Sequence, residues 1–228
     1  MDLYWVRHAE SELNVDRRFV GGRSSWCELT ERGRAQARAL GREWVARQED
    51  FGLIAVSTAV RAQQTARLAF EEAGVPLSRL EFWRELEETR YGDWEGAPRG
   101  EVFTRETISA YRAGAWGFRP PGGETLEEAA GRLKAWVDEV ALGSGAERVV
   151  VVSHGMMIRC AVVALAGRPP GSVLDYEVPN TSVTHMRGGA QGWELVGGVA
   201  DAGHLAGVGR LSGTLREGAT RGTEHGGE

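Results

Sequence analysis

Arg7 and His8 close the apolar run Leu3-Tyr4-Trp5-Val6, and Ser153-His154-Gly155 closes the run Val149-Val150-Val151-Val152. A guanidinium offers a planar fork of donors to phosphate oxygens, and an imidazole can serve as a nucleophile or an acid–base group. A third apolar run, Leu53-Ile54-Ala55-Val56, ends at Ser57, with Arg61 one helical turn later. In an open α/β sheet, ligands collect in the crevice beyond the carboxyl ends of the strands. The three strand ends could therefore converge on one anion, and a phosphate group suits them.

The elements that must position these residues follow from the pattern. The polar, Gly-containing stretch from Ser11 to Glu28 reads as a long loop of the kind that often carries function. Thr30 is a helix N-cap, and the helix it starts runs to about Gln48 with Leu40, Trp44 and Val45 on one face. A second helix covers about Val60 to Ala73, stopped by Gly74 and Pro76. Leu80 to Leu86 reads as a further strand, and Glu87 to Gly123 as an aperiodic, substrate-facing excursion. Thr125-Leu126-Glu127-Glu128 is a capping box opening a helix to about Leu142, and Met156 to Ala166 is an apolar helix. The β-branched run at Val149 belongs at the centre of a parallel sheet, with Thr181 to Met186 and Trp193 to Val196 as edge strands. The expected fold is α/β, a three-layer sandwich with a mostly parallel central sheet and helices on both faces.

The 228 residues suit one catalytic domain over residues 1–205, followed by a Gly-rich, mobile tail over 206–228. A net charge of −5 speaks against nucleic acid or an anionic membrane as the main partner. No run is long enough to span a bilayer, and no leader sequence is visible. Cys27 and Cys160 make neither a disulfide framework nor a metal site, which fits a reduced, cytoplasmic setting. Lys134 is the only lysine beside many arginines, so a single arginine carries little weight without its neighbours. Asn180-Thr181-Ser182 reads as a chance glycosylation sequon, and His185, His204 and His225 join no constellation.

The ordered set of motifs resembles the histidine phosphatase, or phosphoglycerate mutase-like, superfamily. The matching pieces are Arg7-His8-Ala9-Glu10 with Asn14, Leu29-Thr30-Glu31-Arg32-Gly33 with Gln36-Ala37, and the segment from Ser57 to Ala66. Leu86 to Gly96, Pro121-Gly122-Gly123-Glu124-Thr125 and Ser153-His154-Gly155 complete the order. The resemblance implies that His8 is the nucleophile and that Arg7, Asn14, Arg61 and Gly155 bind phosphate. It also implies that His154 completes the pocket and that the catalytic acid is Glu88, which stands four residues before Gly92, with Glu87 in reserve. No metal or other cofactor is required, since arginines supply the positive charge. Two features depart from the family pattern. Ala9 replaces the usual glycine, and Gly21 to Glu28 is longer and lacks the usual aspartate.

Mutases in this superfamily carry an arginine directly after the glutamate and a longer basic insertion. Here Thr89 follows Glu88, and the excursion to Pro121 is short and contains Trp116 and Phe118. The expected activity is hydrolysis of a small phosphorylated metabolite through a phosphohistidine, with mutase-type transfer as the alternative. A non-catalytic phosphoprotein-binding module fits less well, because His8, His154 and the candidate glutamates are all retained. A homodimer is compatible with the sequence.

Overall fold

In the computed structural model, which describes residues 1–16, 18–206 and 208, a six-stranded sheet runs in the order β3-β2-β4-β1-β5-β6. The strands are β1 (Asp2–Arg7), β2 (Leu53–Ser57), β3 (Leu80–Trp83), β4 (Arg148–Ser153), β5 (Val183–Gly189) and β6 (Gly192–Leu195). The first four are parallel, and β5 and β6 are antiparallel additions on one side. The helices are α1 (Glu12–Val15), α2 (Glu31–Ala46), α3 (Val60–Glu72), α4 (Arg99–Val102), α5 (Arg105–Gly114), α6 (Leu126–Trp136) and α7 (Gly155–Leu165). A π-helical segment, Val137–Ala141, extends α6.

Alternation along the strands sorts the core into two layers. Leu3, Trp5, Leu53, Ala55, Val149 and Val151 face α6 and α7, meeting Leu126, Leu133, Trp136 and Ile158. Val6, Ile54, Val56, Val150 and Val152 face the other way, onto Leu40, Trp44, Ala66 and Phe70 of α2 and α3. The α/β sandwich with helices on both faces is as expected. β4 lies between β1 and β2, where its buried valines are covered on both sides.

The register brings the functional ends together. Val6 pairs with Val152, and Val152 with Val56, so His8, Ser57 and His154 leave the sheet side by side. The Arg7–Glu10 turn is braced from two helices. Gln36 Oε1 accepts from Glu10 N at 2.9 Å, and Thr65 Oγ1 accepts from Ala9 N at 2.9 Å. Thr30 caps α2 as expected, accepting from Gly33 N at 3.0 Å and donating to Glu10 Oε1 at 2.9 Å.

Four expectations need correction. The Ser11–Glu28 loop contains the helical turn α1, whose cap is a reciprocal pairing of Ser11 with Asn14. Val45 is 55% exposed, because the face defined by Leu40 and Trp44 turns away from it. Leu80 to Leu86 is a four-residue strand followed by a 3-10 turn, Arg84–Leu86. The excursion from Glu87 to Gly123 contains α4 and α5, the latter capped by Thr104. Most of the expected tail, residues 207 and 209–228, and with it His225, lies outside the described residues.

Gly33 touches the nucleophile loop so closely that a Cβ there would lie 2.0 Å from the Glu10 carbonyl oxygen. Gly131, inside α6, has open space around it. Gly33→Ala should therefore destabilise the protein by about 1–3 kcal/mol or more. Gly131→Ala should stabilise it by about 0.5–1 kcal/mol. Urea unfolding of the two variants checks both signs.

Candidate active site

The sequence places His8 in the first turn after β1, and the fold shields all but 4% of it from solvent. Its Nδ1 lies 2.7 Å from the Ala9 carbonyl oxygen. A carbonyl only accepts, so Nδ1 carries the proton and Nε2 keeps its lone pair. Ala9 is buried and free of positive φ, so its methyl fits where the family usually has glycine. The His154 ring lies 5.2 Å from that of His8, centroid to centroid. Arg61 Nη2 donates to His154 Nδ1 at 3.1 Å, which leaves His154 Nε2–H to donate to Ser57 Oγ at 2.8 Å.

Arg61 joins the two rings. Its Nε donates to His8 Nε2 at 3.3 Å, and its Nη atoms donate to the carbonyls of Gly22, Arg23 and Ser24 at 2.9–3.1 Å. With the His154 bond, all five guanidinium N–H donors are used. The loop that departs from the family pattern thus works here through its backbone. Burial pushes the Arg61 pKa down, and that of Arg7 falls to about 10 for the same reason. Arg7 donates to the Val178 carbonyl at 2.6 Å, while its buried Nε has no hydrogen-bond partner among the described residues. Gly155 lies against Arg7, and a Cβ there would meet that Nε in ordinary contact at 3.4 Å.

Burial holds the pKa of both His8 and His154 well below the usual histidine value, and the nearby Arg61 and Arg7 charges lower them further. Both rings are therefore neutral near neutral pH.

The two glutamates separate clearly. Glu87 bonds Thr58 Oγ1 and pairs with Arg23 at 3.1 Å. Glu88 points to the start of α7, accepting from Thr89 N at 2.9 Å and Met156 N at 3.3 Å. There the helix N-terminus favours negative charge, and the Glu88 charge acts on both Arg7 and Arg61. The segment is braced by Glu124, which accepts from Arg90 N at 2.9 Å and from Arg132 at 2.7 Å. Gly92, at φ +60°, lets the chain pass the Pro121 carbonyl, 2.1 Å from where a Cβ would sit. These contacts explain why the Gly92 and Pro121-Gly122-Gly123-Glu124 motifs occur together.

Asn14 belongs to the same cluster through a residue that the sequence offered only as part of a chance sequon. Asn180, 1% exposed, donates from Nδ2 to the His8 carbonyl at 2.9 Å and to Asn14 Oδ1 at 3.0 Å. Asn14 Oδ1 also accepts from Ser11 N and Oγ, so its NH2 group is the end available to an anion. Arg23 was also missed. It ties the loop around Arg61 to Glu87 and, at 3.4 Å, to the Glu88 carbonyl. His185 stacks on Tyr4 and pairs with Asp2, away from the cluster, and His204 bonds Thr181.

At the ends of the parallel strands the structure gathers two neutral imidazoles, the buried Arg61 guanidinium, the half-buried Arg7 and a carboxylate, an arrangement suited to holding a phosphoryl group. Residues 3–200 match the model of the histidine phosphatase superfamily, branch 1, and the chain belongs to that family. It is 38% identical over 183 residues to a 2,3-bisphosphoglycerate-dependent phosphoglycerate mutase of Methylobacterium radiotolerans, covering 77% of this chain and 84% of that one. A mutase of the same name from Gloeobacter violaceus is 34% identical over 184 residues, covering 77% and 80%. Among solved structures, a mycobacterial glucosyl-3-phosphoglycerate phosphatase superposes with a TM-score of 0.75 at 28% identity, covering 88% of this chain and 99% of that one. The α-ribazole phosphatase of Shigella flexneri shares the fold, with a TM-score of 0.74 at 24% identity and coverage of 89% and 97%.

The depressed histidine pKa values link to stability. Below an unfolded-state pKa of about 6.5, the unfolded chain binds protons that buried, neutral His8 and His154 refuse. Stability should therefore be full above that pH and fall as the medium is acidified below it. In histidine-labelled protein, ¹⁵N spectra should show His8 as the Nδ1–H tautomer, with no titration near pH 6.5. A ring titrating at the ordinary value would contradict the burial argument.

Proposed function

We propose that the protein is a phosphatase that hydrolyses small phosphate monoesters through a phosphohistidine on His8. The observation that carries this reading is the His8 ring, whose Nδ1–H is anchored on the Ala9 carbonyl and whose Nε2 lone pair is directed at Arg61. Arg7, Arg61 and the Asn14 amide bind the non-bridging oxygens and stabilise the charge that gathers there during in-line transfer. His154, held by Ser57, orients Arg61.

His8 Nε2 attacks phosphorus and the P–O bond to the alcohol breaks as Glu88, a carboxylate in the free protein that takes up a proton when the negatively charged phosphate settles beside it, gives that proton to the leaving oxygen. Glu88, now a carboxylate, takes a proton from water as that water attacks the phosphohistidine. Inorganic phosphate leaves with both His8 and Glu88 restored. Glu88 suits this role better than Glu87, whose carboxylate is engaged by Thr58 and Arg23.

Hydrolysis is favoured over mutase transfer by Thr89, a buried neutral residue where mutases carry an arginine. The short excursion adds support, because it packs Trp94, Phe103, Phe118 and Tyr111 together rather than presenting a basic insertion. The mycobacterial phosphatase likeness agrees with this. The second reading, mutase transfer, draws on the relatives named phosphoglycerate mutases.

In the presence of EDTA the protein should hydrolyse p-nitrophenyl phosphate and form an acid-labile phosphoenzyme. His8→Ala should abolish both, with turnover down by at least about 10³-fold. Glu88→Gln should slow alkyl phosphates by about 10²-fold or more, and p-nitrophenyl phosphate far less, because a good leaving group needs no proton. Isomerisation of 3-phosphoglycerate outpacing phosphate release, once 2,3-bisphosphoglycerate is added, would favour the mutase reading.

A further inference from the structure

The turn from Val178 to Ser182 grips the end of β1. The Val178 carbonyl accepts from Arg7 Nη1 at 2.6 Å, Thr181 N donates to the Arg7 carbonyl at 3.0 Å, and the Ser182 carbonyl accepts from Arg7 N at 3.1 Å. A side chain makes a fourth contact, since Asn180 Nδ2 donates to the His8 carbonyl at 2.9 Å. The turn is held in a strained shape. Thr181 sits at φ +57°, a left-handed conformation that a β-branched residue rarely adopts. Its hydroxyl donates to the Asn180 carbonyl at 2.8 Å and accepts from His204 Nε2 at 3.2 Å, which pins it in place. Strain of this kind persists where the surroundings over-determine it, and it collects at functional sites.

Gripping the strand does not call for the second bond that Asn180 makes. The other hydrogen of its Nδ2 goes to Asn14 Oδ1 at 3.0 Å, on α1, 166 residues away and outside the sheet. An amide NH2 has two hydrogens, and both are spent on groups of the site. Neither amide can be reversed. The His8 carbonyl only accepts, so Asn180 must present its nitrogen; Ser11 N only donates, at 3.1 Å, so Asn14 must present its oxygen. Asn180 itself, 1% exposed, has no donor left for an anion. One buried side chain therefore sets the separation between the backbone of His8 and the amide of Asn14.

We infer, resting on the roles proposed above for His8 and Asn14, that Asn180 is a positioning residue for phosphoryl transfer. It holds the Asn14 NH2 group at the distance from His8 Nε2 that one phosphoryl group spans. It acts on phosphate affinity through Asn14 and on the attack through His8.

Binding of inorganic phosphate, followed by calorimetry, separates this role from packing. Asn180→Ala should weaken phosphate binding by about three- to tenfold. In an Asn14→Ala background the same substitution should change it by less than about twofold, because the amide that it positions is gone. The single-turnover rate of phosphohistidine formation from p-nitrophenyl phosphate should fall by about fivefold or more in both backgrounds, because the His8 contact is lost in each. Affinity losses of Asn180→Ala and Asn14→Ala that multiply would overturn the inference, as would Asn180→Ala with wild-type affinity or a wild-type rate. Should Asn180→Ala not fold, spectra of the wild type decide. Both side-chain amide protons of Asn180 should resist exchange and shift on addition of phosphate, and protons that phosphate leaves unmoved refute the link to Asn14. Phosphate binding needs no turnover, so the expected affinity pattern without phosphohistidine counts against the nucleophile alone. Active protein with independent Asn180 and Asn14 effects counts against the positioning role alone.

Discussion

The arrangement depends on burying the Arg61 guanidinium without an ion pair among the described residues. Its five donors end on three loop carbonyls and two imidazole nitrogens, all neutral. A charge removed from water this way needs every bond it can make. That requirement fixes the residue 22–24 turn and the tautomer of His154, and matches that of His8. It also leaves the cluster short of negative charge, with Glu88 as the carboxylate that acts on both Arg7 and Arg61.

The motif residues outside the cluster act mainly as braces for it. Thr30, Gly33 and Gln36 hold Glu10, and Thr65 holds Ala9 while donating to the Arg61 carbonyl. Glu124 and Arg132 hold the strand-like segment that carries Glu88. The groups positioned to act on phosphate are few, and the rest of each motif supports their geometry.

The parts legible in the sequence were those with strong local physics. A run of four valines closing on Ser-His-Gly can hardly be anything but a central strand end, and a Thr-x-x-Glu box starts α6 as its pattern demands. The strand ends led to His8, Arg61 and His154 because parallel strands share an edge. The missed parts depend on contacts between distant segments. Asn180 lies 172 residues from the His8 carbonyl it binds, and its local sequence resembles any polar turn. Arg23 was hidden among many arginines, since composition blurs the one signal a cation gives. Val45 looked buried because a helix face has blurred edges, and α5 was hidden by a weakly periodic, polar sequence.

The bond from Arg61 Nε to His8 Nε2 has a further consequence. The lone pair that would attack phosphorus is itself occupied by a hydrogen-bond donor. A molecule reaching the ring must first draw Arg61 away, and only a group that accepts strongly from a guanidinium can do so. Neutral electrophiles offer no such inducement, and divalent cations are repelled by the same charge. On the role proposed for His8, the guanidinium is a latch that a dianion opens by binding to it.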